Sequence, residues 1–210
     1  LTDLDPAQNA GSLYYIEGQY VTKDDATAGN QNNNASYAPA TVTGNATNCS
    51  VASTNNTTVR EKAAVQAWKA LDATVTETLI DVPEDAAPAT GRLILEAKAT
   101  SLGGGIYHYE YALLNMNSER AVQSFSVPIS PYANVTNIGF HDVFYHDPDG
   151  CGSTAGTPIT FDGTDWPGMN SGGNVHWYMV QLAGSGATAP CNSNAIRWGS
   201  TFNFRFDSDL

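Results

Sequence analysis

Basic side chains are scarce in this chain. Nine Lys and Arg stand against 21 Asp and Glu, a formal net charge of −12. A surface of that sign repels a phosphate backbone, so nucleic acid is excluded as a partner, and an anionic membrane is disfavoured on the same ground. No apolar run reaches the length of a transmembrane helix, so no membrane span is expected. No secretory signal peptide is expected within 1–210 either. The sequence opens on Leu1-Thr2-Asp3 and closes on Asp207-Ser208-Asp209-Leu210, shortly after a strand-like run. We read 1–210 as a processed segment of a longer secreted precursor.

Charged residues make up only 14% of the chain, and long runs of helix formers are rare. Asn, Thr, Ser and Gly take their place, a mix that suits strands joined by polar turns. Cysteines number three, Cys49, Cys151 and Cys191. No CxxC or CxxCH occurs, so neither a zinc ribbon nor haem attachment is signalled. In an oxidising compartment Cys151–Cys191 is the preferred disulfide, since both lie in loop-like sequence. Cys49 is then left to pair between chains or with another part of the precursor. The other pairings stay open, as does a set of reduced thiols. G-x-S-x-G, H-E-x-x-H and Ser-x-x-Lys are also missing, which weighs against an enzyme.

The runs that are present read as strands. Residues 12–21 are rich in Tyr, Ile and Val, and two short strands flank Gly44-Asn45. One helix is expected at 59–71, capped by Thr57 or Thr58, with Val65, Trp68 and Leu71 near one face. A strand follows at 74–82. In 92–101, Leu93, Leu95, Ala97 and Ala99 alternate with Glu96, Lys98 and Thr100. Gly103–Gly105 then turns into Ile106–Met116, where Tyr107, Tyr109 and Tyr111 share one face and Ile106, His108, Glu110, Ala112 and Leu114 the other. After Asn117–Arg120, the run 121–129 completes a three-stranded antiparallel meander. Further strands are read at 135–146, 175–182 and 195–206, the last with Phe202, Phe204 and Phe206 on one face. Eight to ten strands punctuated by turns give the expected fold: mainly β, a single antiparallel β-sandwich of Ig-like or jelly-roll type, over 1–210. A boundary near Leu71 is weighed, but the first 58 residues look too polar to hold a core alone.

Acids and imidazoles gather in Gly139-Phe140-His141-Asp142-Val143-Phe144-Tyr145-His146-Asp147-Pro148-Asp149-Gly150. On a strand Asp142 and His146 share a face while His141 points the other way. If the strands carrying them were neighbours, His108, Glu110, Asp142 and His146 would make a four-ligand metal site, with His141, Asp147 and Asp149 close by. The alternative is a polar strand whose groups bond one another. Asp147-Pro148-Asp149-Gly150 begins like a calcium loop but lacks the later ligands, and Asp162 and Asp165 offer a second acidic loop. Calcium or another divalent metal is the only cofactor suggested. Trp166, Trp177 and Trp198 are candidates for stacking on a glycan. Six N-x-S/T sequons, at Asn34, Asn45, Asn48, Asn55, Asn56 and Asn134, permit N-glycosylation.

The wording of HYEYALLNMNSERAVQSFSVPI, NIGFHDVFYH and NAIRWGSTFNFRFD resembles an uncharacterised family of large secreted bacterial β-rich proteins. The resemblance covers most of the chain and implies an extracellular or cell-surface location and a precursor that extends upstream of Leu1. No activity is known for the family, so the resemblance transfers no catalytic residue. The leading expectation is a non-catalytic extracellular structural or cell-surface protein that assembles with copies of itself. A glycan- or divalent-cation-binding module is the second reading. A metal-dependent enzyme using the His/Asp/Glu cluster is the third.

Overall fold

The computed structural model describes residues 2–54, 57–84, 90–143, 162–180 and 193–209. The chain is mainly β and antiparallel, as its alternating sequence requires. It divides into two compact units, Leu1–Ala70 and Leu71–Leu210.

In the first unit β1 (Tyr14–Gln19) precedes the short helix α1 (Lys23–Thr27), followed by β2 (Ala35–Asn45), β3 (Asn48–Ser53) and β4 (Val59–Arg60). β2 is central, flanked by β1 and β3, and also pairs with β4. Ala35, Tyr37, Ala38, Val42, Ala63 and Ala67 are its buried apolar residues, and Tyr15 meets Tyr37 edge-on at 5.5 Å. The expected 59–71 helix starts late. Val59 and Arg60 pair with Tyr37 and Ser36 instead, and Glu61 at φ 60 breaks the helical path. A 3-10 turn, Ala64–Gln66, then leads into α2 (Ala67–Leu71). The Gln66 side chain starts it by accepting the Ala63 N–H at 2.9 Å.

The second unit is a sandwich of two sheets. β5 (Thr76–Pro83), β6 (Thr90–Gly103) and β7 (Ile106–Asn115) form consecutive hairpins, and β8 (Ser124–Pro128), β9 (Val135–His141), β10 (Gly168–Ser171), β11 (Asn174–Tyr178) and β12 (Thr201–Ser208) complete it. One sheet runs β5-β6-β7-β12-β9 and the other β10-β11-β8. Their facing sides meet in one aromatic core. Phe202, Phe204 and Phe206 point inward from β12; Phe204 meets Phe125 of β8 and Trp177 of β11, Phe206 meets Trp177, and Phe202 meets Phe140 and Trp166. The expected meander is corrected at its third strand. β8 joins β11 rather than β7, and β12 takes the place beside β7. Asn115 explains the departure. Its buried amide donates to the carbonyls of Ser118, Arg120 and Ile196 and accepts the Ser118 N–H. These bonds turn the chain out of the first sheet and hold it beside the 196 backbone, where Val122 and Ile196 form an isolated bridge.

Met116 N donates to Arg92 O, so even-numbered residues of β6 bond towards β7 and odd-numbered ones towards β5. With Leu93 opposite Ile80 and Leu95 opposite Thr78, the backbone groups of Leu79 and Asp81 are directed away from β6, along the outer edge. Glu96 is buried together with Ile94, Ala112 and Leu114 on the side of the sheet away from the aromatic core.

Candidate functional site

Alternation along β7 puts His108 and Glu110 on the side of the five-stranded sheet opposite the aromatic core. Strand β12 lies next to it, with Asp207 opposite His108 and Arg205 opposite Glu110. His108 Nδ1 lies 2.5 Å from Asp207 Oδ1, and Asn137 Nδ2 donates to Asp207 Oδ2, also at 2.5 Å. The Asp207 side chain is 9% exposed. The hydrogen bond from Asn137, then that from His108, holds its carboxyl below the usual carboxylate range. An ionised carboxylate only accepts, so His108 Nδ1 is the donor of this bond. Nε2 is thereby turned towards Glu110 Oε1, 3.8 Å away.

A β-bulge builds the third member of this cluster. The register between β12 and β9 shifts between Arg205 and Asp207, and Asn137 sits in the shift at φ 52. Asn tolerates the left-handed region better than most residues, and a bulge re-aims a side chain. Here it carries the amide to Asp207. Beside it Gly139 leaves room for the exposed Arg205, since a Cβ there would come within 2.7 Å of Arg205 Nε. Lys98, opposite Glu110 on β6, instead pairs with Asp72 at 2.6 Å. That bond, reinforced by Thr74, draws the Asp72 carboxyl far down. The arrangement orients one imidazole through its Nδ1, the part of acid–base chemistry that an Asp–His pair supplies.

Sequence reasoning found His108 and Glu110 but missed Asp207 and Asn137. Its premise for a four-ligand site, β7 beside β9, is corrected by the topology: β12 lies between them. His108 and His141 are separated by two strand spacings, roughly 10 Å, and by four residues along the sheet, since His141 lies in the row of Ala112. Asp142 is directed to a different cluster. Asn194 Nδ2 donates to Asp142 Oδ2 at 2.5 Å and to Thr164 O at 3.0 Å, and Trp166 Nε1 donates to Asn194 O. Burial raises the Asp142 carboxyl, and the charge of Asp165 adds to the rise. Asp162 Oδ1 accepts the Thr164 N–H. Among the described residues no group of three or more His, Cys, Asp or Glu is placed to hold a metal. His146, Asp147, Asp149, Cys151, Cys191, Asn55 and Asn56 lie outside the described residues.

The proposed glycan platform is corrected by burial. Trp166 and Trp177 are 1% and 0% exposed, in the sandwich core, and only Trp198 reaches solvent. Cys49 is a free thiol on β3. Asn45 and Asn48 are exposed at the β2–β3 hairpin and Asn134 precedes β9, while the Asn34 amide is engaged with Asp25. No helix among the described residues is long and apolar enough to cross a membrane. No family model, curated protein or solved structure matches the chain.

The Asp207–His108 pair yields a pH prediction. A carboxyl held low in the folded protein stabilises the fold above the ordinary carboxylate range, and that stability is lost as pH falls through the folded value. Asp207→Asn is therefore expected to destabilise the protein by about 1.5–3 kcal/mol at pH 7, as for a hydrogen bond to a charged group. The gap should narrow as pH falls below the ordinary carboxylate range. Thermal melts of both proteins from pH 7 to 2.5 check this; a gap that stays constant with pH would contradict it.

Proposed function

We propose that this is a non-catalytic extracellular or cell-surface protein whose sandwich self-associates by strand addition at β5. The edge strand β5 carries the reading. It is eight residues long, ends the five-stranded sheet, and directs the backbone of Leu79 and Asp81 outward. Leu79 is 49% exposed, and Ile80 on the opposite face is also open to solvent. Folds that stay monomeric blunt such edges with lysines, bulges or very short strands. β5 has no lysine and no register shift against β6. Within the strand itself only Pro83 and the acids Glu77 and Asp81 moderate it, and Asp81 is paired with Arg92 at 2.8 Å. Two β5 strands related by a two-fold axis near Leu79 would pair antiparallel and join the sheets of two copies. The resemblance to secreted β-rich proteins supports the location outside the cell.

The net charge of −12 opposes association of copies. Salt shortens the reach of that repulsion to about 8 Å at physiological ionic strength, so association is expected to strengthen with salt. Sedimentation of the 22.3 kDa chain over a hundredfold concentration range is expected to show a reversible dimer. Leu79→Pro removes one outward N–H without touching the β5–β6 ladder, and Leu79→Lys adds a charge at the same point. Both are expected to be monomers with nearly unchanged melting temperature. A wild-type protein that stays monomeric throughout would overturn the proposal.

A further inference from the structure

Where the three-stranded sheet stops short of the five-stranded one, a cleft of about 430 Å³ opens at the end of the sandwich. Tyr109, Tyr111 and Phe206 form its floor, and β8 with the turn that follows, Val127–Ser130, forms its wall. We infer that this cleft binds a neutral carbohydrate, one or two sugar rings stacked on the tyrosine row of β7.

Four observations carry the inference. The volume lies within the range of about 300–1,000 Å³ typical of small-molecule clefts. No lining residue is charged, although the protein has a net charge of −12. A charged ligand would enter without a counter-charge, whereas a neutral one loses nothing. The floor is aromatic and well supported. Phe206 stacks on Tyr109 at 4.9 Å and lies 6.2 Å from Tyr111, and Tyr111 leans on Phe125 at 5.4 Å. Rigid ring faces of this kind suit the C–H faces of a sugar, and tyrosine adds a polar edge for its hydroxyls. Burial, with the neighbouring Tyr109, pushes the Tyr111 phenol up to about 12. It stays protonated and can donate at any physiological pH.

The surroundings extend the same chemistry. Tyr107 continues the row towards solvent, 6.4 Å from Tyr109. Tyr132 is 95% exposed on the tight turn that follows the cleft wall, where Ser130 Oγ accepts the Tyr132 N–H. Its ring lies in solvent two residues along the chain from the cleft wall, and the inference includes its closing over a bound sugar. These tyrosines are not the tryptophans that the sequence suggested for glycan binding, and β5 is not part of the cleft. The site therefore stands or falls separately from self-association.

The test uses the whole chain and three neutral probes, cellohexaose, maltohexaose and chitohexaose, with a sialylated and a sulfated oligosaccharide as charged controls. Saturation-transfer NMR detects contact and calorimetry measures affinity. At least one neutral probe is expected to bind while the charged controls do not. Tyr111→Phe deletes only a hydroxyl and Tyr132→Ala trims an exposed ring, so both should fold normally. Each is expected to weaken binding by tenfold or more at unchanged melting temperature. Absence of binding by every neutral probe, binding of charged probes alone, or binding indifferent to both substitutions would overturn the inference. So would capture of an extended uncharged peptide along β8 in place of any sugar.

Discussion

Phe204→Ala is expected to cost about 3–5 kcal/mol, the usual penalty for emptying an aromatic site in a closed core. Phe204 is 1% exposed and is shared by both sheets. Phe125 stacks on it at 4.5 Å, and Trp177, Phe140 and Trp166 surround it at 5.2, 5.6 and 5.9 Å. No neighbour can fill the gap without giving up its own stacking. Domains of this size hold about 5–15 kcal/mol in total, so the variant should lie close to the folding threshold. Urea unfolding followed by tryptophan fluorescence reads the loss, because Trp166 and Trp177 flank the site. A loss below about 1 kcal/mol would mean that the two sheets do not pack through this ring.

Asn115→Ala is expected to cost about 3 kcal/mol or more, through polar groups rather than through volume. The amide serves three carbonyls and one N–H in buried surroundings, and each buried group left without its bond costs about 1–3 kcal/mol. Asn115→Asp separates this account from simple packing. It keeps the size but replaces the donor with a carboxylate facing the carbonyls of Ser118, Arg120 and Ile196, so it should be no better than alanine. If the Asp variant were as stable as the wild type, the amide would not be what turns the chain from β7 towards β8. Hydrogen exchange at Val122 and Ile196, whose N–H groups bond each other's carbonyls, should quicken in both variants.

Local features were legible in the sequence and long-range pairings were not. The period of two in β7 correctly placed Tyr107, Tyr109 and Tyr111 opposite His108 and Glu110, because strand geometry alone decides it. The Phe202-Phe204-Phe206 face was legible for the same reason. The neighbours of β7 were not, because they depend on which distant rings fill the core. Phe125 packs on Phe204 only if β8 leaves the first sheet, and nothing local to residues 121–129 says so. The Asp207–His108 pair joins residues 99 apart, and its third member depends on a bulge at Asn137 that no alternation pattern reveals. Trp166 and Trp177 were misplaced because an aromatic on a strand serves equally well in a core or on a platform. Val59–Arg60 reads as helix by composition, yet two backbone pairings with β2 outweigh a weak propensity.

Residue-resolved hydrogen exchange along β5, at low and high protein concentration, tests self-association most directly. In the monomer the amides of Thr78 and Ile80 bond to β6 and should exchange slowly, while those of Leu79 and Asp81 face outward and should exchange fast. Strand addition predicts that Leu79 and Asp81 become protected as concentration rises, with Thr78 and Ile80 little changed. Equal, concentration-independent exchange at Leu79 and Asp81 would contradict it, even if the protein formed larger species by another surface.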